Sequence, residues 1–323
     1  MKILVRLPNW LGDMVMSVAF IHQLKKNYPQ AEISVIAKKG IHTLLKFFPA
    51  VADQYIFSKE EYPGLKGAYK FGNLIAKQNI YDIFYCLPDS LSSAMMGYAT
   101  RAKKRVGYNK ELRHFLLTDR YKKNEDQHRV EQYLDLLNLT YEKTSDKPSV
   151  LLEINHTPQN RIIVNINSEA SSRRLPKEKA ISIINEIREH TTEEIILIGS
   201  AAEKDFVSEV YSSLKNNSGI HNDAGKTSVA ELTELMSFAK LMISTDSGPA
   251  HLSNAIGVPT IVLFGAGNET HTAPYNTANR TIIRLGQLSC EPCRKNICVR
   301  FGIPKCLTLL NEEKIIYEVL KYI

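Results

Sequence analysis

Ser244-Thr245-Asp246-Ser247-Gly248-Pro249-Ala250-His251 lies between the short apolar run Leu241 to Ile243 and a helix-forming stretch, Ala250 to Ala255. Gly257 stops that helix and Pro259 prevents its resumption. The segment reads as buried strand, tight turn and helix. Proline at the first helical position has a preset backbone angle and loses no useful donor, while Asp246 or Ser247 can cap the exposed amides. Those amides, with the helix dipole behind them, attract an anion. Gly248 allows close approach to the backbone, and His251 in the same first turn can donate to a phosphate oxygen or a sugar hydroxyl. The pattern suits a nucleotide diphosphate. An ordinary Asp or Ser cap beside a surface histidine gives the same eight letters without a ligand.

Working outward, the chain alternates strands and helices. Lys2 to Leu7 reads as a strand, Pro8 to Gly12 as a loop, Asp13 to Asn27 as an amphipathic helix and Glu32 to Ala37 as a second strand. Such βαβ units make parallel sheets. A further strand fits Ile80 to Leu87. Between Thr140 and Gln159 the chain turns polar, with Lys143, Ser145, Asp146, Lys147, Pro148 and Pro158, which marks a domain boundary. The expected division is 1–155 and 156–323. Beyond it, strands are expected at Arg161 to Asn167, Glu194 to Gly199 and Thr260 to Gly265, and helices at Pro176 to His190, Ala201 to Lys215 and Val229 to Ala239. A closing helix, Asn311 to Tyr322, carries the start signal Asn311-Glu312-Glu313. The fold class is α/β, two parallel-sheet domains facing across a cleft lined by strand carboxyl ends.

The length of 323 residues with 44% hydrophobic content supports two cores, and no apolar run approaches the ~18 residues of a membrane span. Lys2 and Arg6 begin the chain, but Asp13 interrupts the apolar stretch and no small-residue cleavage site follows, so a cytoplasmic location is expected. A net charge of +7 points to an acidic partner: a nucleotide, an anionic glycolipid, a membrane surface or nucleic acid. Arg101, Lys103, Lys104 and Arg105 form the densest basic cluster, with Lys122 and Lys123 farther along. A solvated face reads the same way.

Four constellations can carry chemistry. In Pro8-Asn9-Trp10-Leu11-Gly12-Asp13, beside the only tryptophan, Asp13 can act as a general base, with the helix dipole lowering its pKa, or can be an N-cap. In the loop Asn167 to Pro176, the hydroxyls of Ser168, Ser171 and Ser172 and the guanidinium groups of Arg173 and Arg174 suit phosphate oxygens, or simply begin a helix. Glu203 follows the next strand and can accept from ribose hydroxyls or stand as a surface carboxylate. Cys290, Cys293, Cys298 and Cys306 lie within 17 residues; they suit a structural zinc or reduced thiols, and disulfides are not expected in a cytoplasmic chain.

Several of these residues match a known pattern. Asn9-x-x-Gly12-Asp13, Arg173-Arg174-Leu175-Pro176, Ala224-Gly225-Lys226-Thr227 and Asp246-Ser247-Gly248-Pro249-Ala250-His251 with Pro259 and Phe264-Gly265 resemble the bacterial lipopolysaccharide heptosyltransferases of glycosyltransferase family 9. Leu87-Pro88-Asp89-Ser90, Gly107-Tyr108 and Arg113 to Arg120 look most like the heptosyltransferase II branch. The chain departs from the pattern at Ile166-Asn167-Ser168, often Pro-Gly-Ala, and at Leu175, often Trp. The resemblance implies a GT-B fold of two Rossmann-like domains, acceptor on the N-terminal one and donor on the C-terminal one. The last helix is open to packing back on the N-terminal domain. It further implies inverting, metal-independent transfer of heptose from ADP-heptose to the inner core of lipopolysaccharide, with no cofactor required. Asp13 is then the base, Arg173 contacts the diphosphate, Glu203 the ribose, and Asp246, Ser247, Gly248 and His251 the phosphate and sugar. Ser168 and Ser172 join the donor side. Asn9, Trp10, Gly12 and Arg105 fall to the acceptor, a Kdo-lipid A core, reached by peripheral contact with the cytoplasmic face of the inner membrane.

Two alternatives stay open: a nucleotide-sugar epimerase of the same fold, and a non-catalytic nucleotide- or nucleic-acid-binding protein. Nucleic acid is not the expected partner, because the strongest motifs are concave-site loops rather than basic or aromatic stripes.

Overall fold

The computed structural model describes residues 1–140 and 149–323, in two compact units, Met1–Leu152 and Glu153–Ile323. Of the polar stretch expected at the boundary, Lys143, Ser145, Asp146, Lys147 and Pro148 lie outside the described residues.

The first unit runs β1 (Lys2–Arg6), α1 (Leu11–Met16), α2 (Val18–Asn27), β2 (Glu32–Lys38), β3 (Gln54–Phe57), α3 (Gly64–Gln78), β4 (Ile83–Cys86), α4 (Leu91–Ala99), β5 (Lys104–Tyr108), β6 (Asp119–Tyr121) and α5 (Arg129–Asn138). Its strands pair in parallel in the order β3-β2-β1-β4-β5-β6. The central strand β1 carries Ile3, Leu4 and Val5, all fully buried, as a parallel strand covered on both faces must. The single helix expected over Asp13 to Asn27 is two, joined at Ser17, whose buried hydroxyl donates to the Met14 carbonyl at 2.7 Å. A side chain that hydrogen-bonds back into its own turn competes with the helical ladder there.

The second unit runs β7 (Arg161–Asn165), α6 (Lys177–His190), β8 (Glu194–Leu197), α7 (Lys204–Ser212), β9 (Ile220–Asn222), α8 (Val229–Ser237), β10 (Leu241–Thr245), α9 (Gly248–Ile256), β11 (Thr260–Phe264), α10 (Glu269–Thr272), β12 (Arg280–Arg284), α11 (Lys305–Thr308) and α12 (Glu312–Val319). Its parallel order is β12-β11-β10-β7-β8-β9. Read from β7, this is the connectivity of the first sheet again. Gly257, at φ +98°, ends α9 in the left-handed region that glycine tolerates best. Asn311 caps α12 by accepting from the Lys314 amide at 2.9 Å. That last helix packs in the core of its own unit through Ile315, Ile316 and Val319, and Glu312 accepts from Lys179 and Ser182 on α6.

Candidate functional site

In each sheet the strand order reverses direction once, between β1 and β4 in the first and between β7 and β10 in the second. Loops leaving two such neighbouring strands diverge to opposite faces and open a crevice at the carboxyl edge. Asp13 and Asp89 follow β1 and β4; Ser168 and Asp246 follow β7 and β10. Each unit thus carries the singled-out residues at its own switch point.

In the first unit, Arg6 at the end of β1 is fully buried. Its guanidinium donates to the Leu7 carbonyl at 2.7 Å, to the Ile36 carbonyl at 3.1 Å and to Asn9 Oδ1. Burial pulls its pKa down to about 10. Asn9 therefore fastens the loop from inside, and Trp10, 57% exposed and beneath the Lys38 ammonium, begins α1 without any side-chain cap. Gly12 and Asp13 occupy the second and third helical positions. Asp13 is not the N-cap: its carboxylate turns to α5, where Tyr133 donates to Oδ1 at 3.3 Å and Arg129 Nε stands 3.6 Å away. Burial raises its pKa above the usual carboxylate value; Arg129, Tyr133 and Lys123 pull it back, and Asp89 adds to the rise. The sequence expectation was a pKa lowered by the helix dipole. In a partly dry site the cost of removing the carboxylate from water exceeds that term. The result is a stronger base.

Arg105 is occupied elsewhere. It lies in the first half of β5, and its guanidinium donates to the carbonyls of Leu116 at 2.8 Å and Ala102 at 2.7 Å, over the Tyr98 ring. It braces the outer strands near the amino end of β5, whereas the switch point lies at the carboxyl edge.

In the second unit, buried Asn165 ties the two switch-point loops together. Its Nδ2 donates to the Asn167 carbonyl at 3.2 Å, Ser244 Oγ at 3.1 Å and Ser247 Oγ at 2.8 Å. Ser247 consequently faces back into the protein and does not cap α9, contrary to the sequence expectation; Asp246 does not cap it either. The helix begins at Gly248, so Pro249 is its second residue, and no side chain closes the first turn. His251 is buried one turn in.

Asp246 is 3% exposed and pairs with Arg173 Nη1 at 3.5 Å. Burial raises its pKa, opposed by Arg173 and Arg284 and reinforced by Glu269. Gly267 makes room for it: a Cβ there would lie 1.9 Å from Asp246 Oδ2. Arg284 holds that glycine loop through the Gly267 and Gly265 carbonyls and through Glu269. A buried carboxylate behind an arginine orients the guanidinium rather than meeting an anionic ligand itself. Ser172 also has a job different from the expected one. Its amide donates to the Asn296 carbonyl at 3.1 Å and its hydroxyl to the Lys295 carbonyl, which fastens the Arg173 loop to the cysteine segment. Ser168 is buried, and its carbonyl accepts from Arg174. Glu203 closes a capping box, with Oε2 accepting from the amide and hydroxyl of Ser200.

The cysteines are all free. Among the described residues no three His, Cys, Asp or Glu side chains gather closely enough to hold a metal ion. Cys306 packs in the core, its thiol pushed up to about 11 by burial and by Glu291, Cys293 and Cys298. Nothing in the local sequence around Asn165, Gly267, Arg129 or Tyr133 marks them out: Asn165 meets Ser244 and Ser247, Gly267 meets Asp246, and Arg129 and Tyr133 meet Asp13, all far along the chain.

Three comparisons place this geometry among known proteins. The family model described as glycosyltransferase family 9 (heptosyltransferase) matches residues 73–302. The chain is 25% identical over 334 residues to lipooligosaccharide heptosyltransferase 2 of Campylobacter jejuni, covering 99% of each, and 28% identical over 321 residues to lipopolysaccharide heptosyltransferase 2 of Salmonella typhimurium, covering 88% of each. The solved E. coli ADP-heptose lps heptosyltransferase II superimposes with a TM-score of 0.84 at 23% identity, over 100% of this chain and 98% of that one, which shows a shared GT-B fold. With the family model spanning most of its length, this chain belongs to glycosyltransferase family 9 (heptosyltransferase) and is a glycosyltransferase.

Proposed function

We propose that this enzyme transfers a heptose from ADP-heptose to the inner core of lipopolysaccharide, by a single inverting displacement. The first unit takes the acceptor and the second holds the donor. Asp13 removes the proton of the acceptor hydroxyl, the oxygen bonds to the anomeric carbon, and the bond from that carbon to the diphosphate breaks on the opposite face. Arg173, aimed by Asp246, and the amides of the uncapped first turn of α9 stabilise the charge that develops on the departing ADP. With that charge met by protein groups, the step is written without a metal. Glu203 Oε1, left free of its capping box, is assigned to a ribose hydroxyl, and buried His251 to the phosphate side.

The observation that carries this reading is the Asp13 carboxylate: only 27% exposed, with raised proton affinity, at the switch point of a sheet in a family 9 chain. General bases work best when their pKa approaches the working pH. The net charge of +7 favours an anionic, lipid-held acceptor, so we place the work at the cytoplasmic face of the inner membrane, by peripheral contact. Among the described residues no helix is long and apolar enough to cross a membrane. The test is a panel of nucleotide sugars, ADP-heptose first, with and without a core acceptor. Transfer from ADP-heptose with inversion at the anomeric carbon is expected. A new sugar formed from donor alone would replace the reading with an epimerase.

A further inference from the structure

Residues 294–305, Arg-Lys-Asn-Ile-Cys-Val-Arg-Phe-Gly-Ile-Pro-Lys, lead from β12 into α11 and carry four cations and no carboxylate. Their backbone is fastened inward. The Arg294 amide donates to the Ala266 carbonyl at 2.8 Å, and the Lys295 and Asn296 carbonyls accept from Ser172. The side chains are left outside: Arg294, Lys295, Arg300 and Lys305 are exposed, and so are Ile297 at 65%, Val299 at 70% and Ile303 at 54%. The Gly302 amide donates to the Cys298 carbonyl at 3.1 Å, which closes a turn between Ile297 and Ile303. Inside that turn, Arg300 and Lys305 lie over the half-buried Phe301 ring at 5.3 and 4.8 Å from its centre.

Clustered apolar side chains in water mark a surface that another body covers. The cations here are also without counter-charge. Among the described residues none of the four pairs with a carboxylate; Arg300 donates to Ser289 Oγ at 2.8 Å. The neighbouring Glu291 is 4% exposed and turned inward, where it faces Arg284 at 3.5 Å and accepts from the Gly286 and Leu288 amides. A second copy of the chain is a poor cover, because a two-fold contact would set these cations against themselves. An anionic bilayer meets both needs: its headgroups take the cations and its acyl boundary takes the apolar side chains.

We propose that the loop 294–305 is a membrane-docking surface, seating Ile297, Val299 and Ile303 at the acyl boundary of an anionic phospholipid bilayer with Arg294, Lys295, Arg300 and Lys305 among the headgroups. The choice of a bilayer rests on the peripheral contact proposed above; the cationic and apolar face does not. Through Ser172 and Ala266 the docked loop is hydrogen-bonded directly to the segments that carry Arg173 and Gly267.

The test is cosedimentation of the full chain with phosphatidylcholine vesicles, with and without phosphatidylglycerol, at low and at physiological salt. Binding to the anionic vesicles alone, weakened by salt, is expected. Lys295→Gln with Lys305→Gln should weaken it by roughly 10- to 30-fold, at about 5-fold per cation. Ile297→Ser with Val299→Ser should weaken it by roughly 10-fold, with ADP affinity kept as the sign of a folded chain. In a Trp10→Phe chain, Val299→Trp should bring a blue shift of the emission on anionic vesicles. No binding, an unshifted emission, or binding lost only in Arg101→Gln with Lys104→Gln on the first unit would overturn the proposal. Self-association abolished by the Ile297 and Val299 changes, without vesicle binding, would overturn it in favour of a second copy. Transfer to a soluble core acceptor without vesicle binding refutes this surface and leaves the transfer reading standing; vesicle binding without transfer from any nucleotide sugar does the reverse.

Discussion

Gly267→Ala probes the donor side with one methyl group. The added Cβ would lie 1.9 Å from Asp246 Oδ2 and 3.0 Å from its Cγ, against the 3.4 Å at which ordinary contact begins. The carboxylate must therefore retreat by about 1.5 Å, because the glycine backbone is pinned by Arg284 at the Gly265 and Gly267 carbonyls. Retreat takes the Asp246 to Arg173 separation from 3.5 Å to about 5 Å. At an effective dielectric of ~20 this weakens their attraction by about 1.4 kcal/mol, and water around the one-third-exposed Arg173 reduces the figure to about 1 kcal/mol. Misplacing a guanidinium by ~1 Å costs up to ~100-fold in rate, so kcat/KM for the donor should fall by between ~10- and ~100-fold. Overpacking should lower stability by about 1–3 kcal/mol. Steady-state kinetics with varied donor, calorimetric ADP binding and thermal melts read the three quantities. In an Arg173→Ala background the methyl group should cost ADP binding little more, since both changes remove the same interaction. Wild-type donor kinetics in Gly267→Ala, or full additivity with Arg173→Ala, would refute the assignment of Asp246 as the group that aims Arg173.

Three further outcomes follow from the same contacts. Asp13→Asn should lower kcat by ~10²- to 10⁴-fold with ADP affinity unchanged. Because the folded-state pKa of Asp13 is raised, its ionised form weighs against folding at neutral pH. That penalty fades as pH falls through the folded pKa, so the variant should melt higher than wild type at pH 7, with the gap closing in acid; a lower melting temperature at pH 7 contradicts the direction. Tyr133→Phe removes the hydrogen bond that lowers the Asp13 pKa, so the acid limb of the kcat profile should move to higher pH while the plateau recovers; an unmoved limb assigns Tyr133 to packing alone. Asn165→Ala unlinks the β7 and β10 loops and should cost about 1–3 kcal/mol in denaturant unfolding, together with weaker ADP binding. Unchanged ADP affinity would show that the loops hold their places without it.

Much of the scaffold is written locally. The apolar runs at Ile3 to Val5 and Leu241 to Ile243, the stop at Gly257 and the cap at Asn311 each act within a few residues, so they are legible without the fold. The position of Asp13 and Asp246 just after strands is legible for the same reason. Ser172 shows the limit: its hydroxyl reads as a phosphate ligand until the Lys295 carbonyl, 123 residues away, accepts from it.

From its sequence alone the chain determined two α/β units, the loops that carry chemistry and the family pattern, because strand, turn and helix signals depend on neighbours in the chain. Only the tertiary structure decided what each polar group faces. Burial makes Asp13 a harder carboxylate to ionise even though Tyr133, 120 residues away, donates to it, Asp246 turns inward to Arg173, and Arg129 comes to stand 3.6 Å from Asp13. Proton affinity and hydrogen-bond capacity are set by burial and by through-space neighbours, and those exist only once the strands are in order.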